Sequence, residues 1–169
     1  MWNRTLAAVL TVGVVGTSGS VWSSEHVSSG AAAPTFLPAA DVSLQKGLAA
    51  AESQGQPISG KYEVDGGHLQ LCVYTAKDGK FSEVFVDQNT GQVAKTESIT
   101  AGDDLAHAQS QMEAYSKSKT SLKAAVDRAE LAYPGYRAVS VTPTLSKGRP
   151  FAVVSLLEGG QFKSVAEPL

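Results

Sequence analysis

The sequence predicts an α+β fold: two similar units, each a helix packed on a small antiparallel sheet, joined by a connecting helix. Three observations predict it. A Ser-Leu pair opens a helical stretch twice, at Ser43-Leu44 and Ser121-Leu122, with an offset of 78 residues. Each stretch is followed by segments rich in apolar residues, most of them alternating apolar with polar side chains. Short glycine turns separate those segments. The spacing divides the chain into a unit over 41–100, a connecting helix over 101–118 and a second unit over 119–169.

The stretch before them reads as an address. Arg4 precedes an apolar run over 6–16, and residues 17–24 are mostly small and polar, the pattern of a secretory signal peptide over 1–24. The run is shorter than the roughly 20 residues of a spanning helix, so no stable membrane span is expected after cleavage. No Cys follows the run, which excludes a lipoprotein anchor. Residues 25–40 carry three consecutive Ala, two Pro and two Ser, with no period of a helix or strand. They read as a flexible leader. The expected destination is the periplasm or the exterior.

In the first unit Leu44, Leu48 and Ala51 form a helical stripe. Asp41 or Ser43 supplies the N-cap, and Gly55 and Pro57 end the helix. Ile58, Tyr62 and Val64 mark a strand that turns at 65–67. The next strand, 68–75, has Leu69, Leu71 and Val73 on one face and His68, Gln70, Cys72 and Tyr74 on the other. A turn at 77–79 leads to a strand over 80–87, and a turn over 87–91 leads into 92–94. The connector carries Leu105, Ala108, Met112 and Tyr115 at helical spacing. Asp103 and Asp104 suit its N-terminal end, and Lys117 and Lys119 its C-terminal end. Its stripe either packs on a sheet or is offered to a partner protein.

In the second unit Leu122, Val126, Ala129 and Tyr133 repeat the stripe, Thr120 or Ser121 caps it, and Pro134-Gly135 ends it. Strands follow over 138–142, 150–157 and 161–166, with turns at 146–148 and 158–160. Phe151, Val153 and Leu157 face one way, and Ala152, Val154 and Leu156 the other. Apolar residues on both faces imply that both faces are covered. The candidate partner surface is therefore Cys72, Tyr74, Phe151 and Val153.

The chain has 169 residues, 14 basic and 16 acidic, for a net charge of −2. That balance gives no basis for a nucleic-acid partner. One Cys and three His do not make a disulfide framework or a Cys/His zinc site. Residues 41–100 carry eight acids and five bases, whereas residues 119–169 carry four acids and seven bases. The asymmetry is either scatter or an attraction that orients the units.

The run LQLCVYTAKDGKFSEVFVDQNTGQV resembles a PepSY domain. The resemblance is carried by Val73 and Tyr74, the Asp78-Gly79 turn, the run Val84-Phe85-Val86-Asp87, and Thr90-Gly91-Gln92-Val93. It covers about 41–97; the second unit stops before any Thr-Gly turn and is degenerate. The resemblance implies a small helix-on-sheet domain of exported or membrane-attached bacterial proteins. Such domains occur in propeptides of thermolysin-like metallopeptidases, where they are associated with inhibition and folding of the enzyme. It implies an exported binding module that regulates or inhibits a secreted or periplasmic peptidase, or another envelope protein, by surface contact. The alternative is a structural or sensory envelope protein that binds without inhibiting. Oligomeric state is left open.

Candidate chemistry is thin. Cys72 reads as a buried inert thiol. His68 sits at a turn edge, His107 has Gln111 rather than a ligand at i+4, and His26 lies in the leader. Asp65, Asp78 and Asp87 stand at turns, where Asp is favoured for backbone reasons. No G-x-S-x-G, HExxH, phosphate-loop or dinucleotide glycine pattern occurs. No catalytic, cofactor-binding or metal residue is assigned, and an enzyme is not expected.

Overall fold

Two serines start the two helices that share one face of the molecule. Ser43 accepts a hydrogen bond from the Lys46 amide (3.3 Å) and opens α1, Leu44–Ala51. Ser121 accepts one from the Ala124 amide (3.1 Å) and opens the helix Leu122–Ala132. Each hydroxyl satisfies a backbone donor that the first helical turn leaves without a partner. The computed structural model describes residues 40–169. The signal peptide expected over 1–24, and all of the leader but Ala40, lie outside the described residues.

Helix α1 is followed by strands β1 (Gln56–Asp65), β2 (His68–Lys77), β3 (Lys80–Val86) and β4 (Val93–Ile99). Then come α2 (Gly102–Ser116), α3 (Leu122–Ala132) and strands β5 (Arg137–Ser146), β6 (Arg149–Glu158) and β7 (Gln161–Pro168). Among the described residues the architecture is α+β, three helices with one seven-stranded antiparallel sheet in the order β4-β3-β2-β1-β5-β6-β7. No helix among them is long and apolar enough to cross a membrane.

Four hairpins share one device. At Gly66-Gly67, Asp78-Gly79, Lys147-Gly148 and Gly159-Gly160 both turn residues have positive φ, between 50° and 83°. That is the two-residue turn whose twist matches the strands it joins.

The expectation of two small sheets is corrected. β1 pairs with β5, Gly60 opposite Val141 and Lys61 opposite Ser140, so the sheet is continuous. The physical reason is edge protection. Either meander alone would leave β1 or β5 as an open, largely buried edge, and each strand removes the other's exposure. β4 also runs further than the expected 92–94, because its polar residues Lys95 to Ser98 satisfy backbone pairing without offering an apolar alternation.

Alternation decides what faces the helices. Leu69, Leu71 and Val73 of β2, Val84 and Val86 of β3, Val141 of β5 and Ala152, Val154 and Leu156 of β6 join one core with α1 and α3. Helix α1 sits close: a Cβ on Gly47 would stand 2.3 Å from Leu71 Cδ2, and one on Gly60 would stand 3.1 Å from Leu48 Cδ2. Arg137, at the start of β5, clamps the segment ahead of α1. Its guanidinium donates to the carbonyls of Ala40 (2.6 Å) and Val42 (2.5 Å), and the Tyr62 hydroxyl also donates to Val42. Gln45 of α1 donates to Asp127 and Glu130 of α3.

Helix α2 lies on the opposite face of the sheet, against β5, β1 and β6. Ala108 is buried with Ile58 and Tyr74, and Met112 and Tyr115 pack at the margin. The Ser59 hydroxyl donates to Gln111 on α2 (2.7 Å). The connector stripe thus packs on the sheet.

Candidate binding face of the sheet

The face that carries α2 divides into two chemically different halves. On the β1–β4 half, alternation brings together Lys61 and Glu63 of β1, Cys72 and Tyr74 of β2, Glu83 of β3, and Lys95 and Glu97 of β4. Lys61 pairs with Glu63 (2.6 Å) and Lys95 with Glu97 (2.5 Å). The Cys72 thiol donates to Glu63 (3.2 Å), and the Tyr74 hydroxyl donates to Asp104 of α2 (3.3 Å).

Burial and neighbouring charge tune these groups in opposite directions. Burial and then the charge of Glu63 push the Glu83 carboxyl above the ordinary carboxylate range. Burial acts upward on Glu63 too, but its hydrogen bond and charge pairing with Lys61 outweigh it and hold Glu63 low. Burial, reinforced by Glu63, pushes the Cys72 thiol up, so it stays protonated. Burial and Glu83 raise Tyr74 as well.

Glu63, Cys72 and Glu83 bring ligand atoms within 4.8 Å of one another. A sulfur and two carboxylates can in general ligate a divalent cation. In this structure Lys61 pairs with Glu63 and the Cys72 thiol donates to the same carboxylate, so the groups form a hydrogen-bonded network on the sheet face. Sequence reading passed over Glu63 and Glu83. The signal was parity: both lie diagonally beside Cys72 once the register is known.

On the β5–β7 half the same face carries hydroxyls and apolar groups. Ser140, Thr142 and Thr144 of β5 and Val153 and Ser155 of β6 line a cleft of about 310 Å³. Ser140 stands opposite Ser155, Thr142 opposite Val153 and Thr144 opposite Phe151. The cleft thus has one valine among four hydroxyl-bearing side chains, with Phe151 beside it. Sequence reading missed the four hydroxyl residues, because Ser and Thr at alternate strand positions read as an ordinary solvated face.

The four residues expected at a partner surface are split by the structure. Cys72 (0% exposed) and Tyr74 (9%) are buried, Tyr74 against Ile58 and Ala108. Phe151 and Val153 are half-buried; Val153 lines the cleft, and Phe151 stands opposite its Thr144. His68 and His107 are exposed at the start of β2 and on α2.

The Asp87 turn is explained locally. Its carboxylate accepts from the amides of Asn89 (3.0 Å) and Thr90 (2.7 Å) and from the Thr90 hydroxyl (3.0 Å). These bonds hold its carboxyl below the usual range. Gly91 has φ of 76°, and the Gln88 carbonyl receives the Val42 amide (3.0 Å). The D-x-x-T-G sequence is thus a loop that docks the chain ahead of α1. Comparison with known protein families, curated proteins and solved structures finds no match to this chain.

Proposed function

We propose that this chain is an exported, PepSY-like binding module that regulates a peptidase or a similar envelope protein by surface contact. The observation that carries the reading is the cleft on the β5–β6 face, lined by Val153 and by hydroxyls able to bond a bound segment's backbone, with Phe151 opposite Thr144. The tandem reading rests on the recurrence of a capped helix followed by an antiparallel meander, with Gly60 and Val141 paired where the two halves meet. The contact surface is narrowed from four residues to Phe151 and Val153, since Tyr74 packs under α2 and Cys72 is fully buried beside the Lys61–Glu63 pair. A cleft of this volume also accepts a small ligand, which supports the second reading, a sensory envelope protein.

The test is dose-dependent inhibition of secreted metallopeptidases and serine peptidases by the protein, beside its Val153→Glu variant. Inhibition by the parent, lost in the variant at unchanged melting temperature, is the expected result. Failure to affect any peptidase would remove the regulatory reading. A melting shift with small-molecule fractions, absent in Val153→Glu, would then favour the sensory one.

A further inference from the structure

Among the described residues the sheet ends in two edges, β4 and β7, and they differ. The register of β7 follows from one bond: the Leu169 amide donates to the Pro150 carbonyl (3.2 Å). Backbone groups of alternate residues in an antiparallel ladder point to the same side. Odd-numbered residues of β7 therefore bond to β6, and Phe162, Ser164 and Ala166 turn their amides and carbonyls outward, away from β6. On the α3 side, Lys163 lies 4.5 Å from the Tyr133 ring centre and Glu167 pairs with Arg128 (2.9 Å). Val165 between them packs at the margin of the main core. On the other side Phe162 is 53% exposed, one of two large apolar side chains left so open among the described residues.

We propose that the β7 edge pairs antiparallel with β7 of a second copy of this chain, centred on Val165. In that register Lys163 stands opposite Glu167 of the second copy, twice by symmetry, and Phe162 opposite its Pro168. Ser164 and Ala166 exchange the outward-facing hydrogen bonds. The parity fits: odd residues fall at the non-hydrogen-bonded positions, where side chains come closest. Centring on Ser164 would put Lys163 opposite Val165, and centring on Lys163 would oppose like charges. Only the Val165 register pairs the charges and covers Phe162. The two-fold axis stands perpendicular to the sheet, so the clefts of both copies lie on one side.

The other edge, β4, can also place Lys95 opposite Glu97 of a second copy. Its five central residues are exposed, and its pairing would centre on Thr96 with no apolar contact at the axis. A register shift between Phe85 and Val86 further bends that edge.

Sedimentation of the protein from about 1 µM to about 1 mM tests the proposal. The expected result is a monomer–dimer equilibrium that Ala166→Pro weakens about 30-fold, since proline removes an outward donor at both symmetric positions without touching a β6 bond. Thr96→Pro should leave it unchanged. Val165→Cys should form a disulfide-linked dimer under mild oxidation, a readout that survives if the proline variant misfolds. A monomer at every concentration, a dimer lost in Thr96→Pro but kept in Ala166→Pro, or a dimer indifferent to both overturns the proposal.

Discussion

The β1–β4 and β5–β7 halves use one plan on the helix side of the sheet and two different plans on the other side. On the helix side each half offers aliphatic residues to its own capped helix, and the two sets merge. On the α2 side the first half carries partly exposed ion pairs beside a buried Cys72, and the second presents hydroxyls around Val153. The helix side, which both halves build alike, serves folding. The part that differs is where a binding function would sit, because the shared core leaves that face free to vary.

The largest expected effect tests the shared core. Leu71→Ala and Leu156→Ala each truncate a fully buried side chain in one half. Each should cost about 2–5 kcal/mol by denaturant unfolding, in a single transition. Separate melting of one half would break the comparison by showing two independent cores.

A smaller effect is expected at the clamp. Arg137→Met leaves the Ala40 carbonyl without its donor and Val42 with the Tyr62 hydroxyl alone, and should cost about 1–3 kcal/mol. Hydrogen exchange should then rise in residues 40–42 before it rises in the hairpins.

The smallest effect is pH-dependent and belongs to the network of the first half. Because the Glu83 carboxyl is raised in the folded state, its contribution is fully present below about pH 4.5 and lost as pH rises through its folded value. Glu63 is lowered, so its contribution is present above that pH and lost as pH falls through its folded value. Glu83→Gln should therefore gain on the parent as pH rises from 4 to 7, and Glu63→Gln should lose. Parallel melting curves for the Glu83 variant and parent across that range would contradict the network.

Much of this fold could be read from local chemistry. The Ser43 and Ser121 caps, the four glycine-bearing turns and the stripe of α2 each follow from residues within a few positions of one another. The β1–β5 pairing could not be read, because Gly60 and Val141 are far apart in sequence and nothing local marks an inner edge. The candidate site was half legible for the same reason. Strand parity picked out Phe151 and Val153, but it put Cys72 and Tyr74 on the same footing. Only the placement of α2 over Tyr74, and of the Lys61–Glu63 pair beside Cys72, separates the two pairs.

Site-specific photo-crosslinking from Val153 and, separately, from Phe85 distinguishes the two halves of the α2 face as binding surfaces. Both residues are half-buried on the α2 side, one in each half of the sheet. A bound peptidase or other envelope partner should be captured from Val153 and not from Phe85. Capture from Phe85 alone, or equally from both, would contradict that expectation.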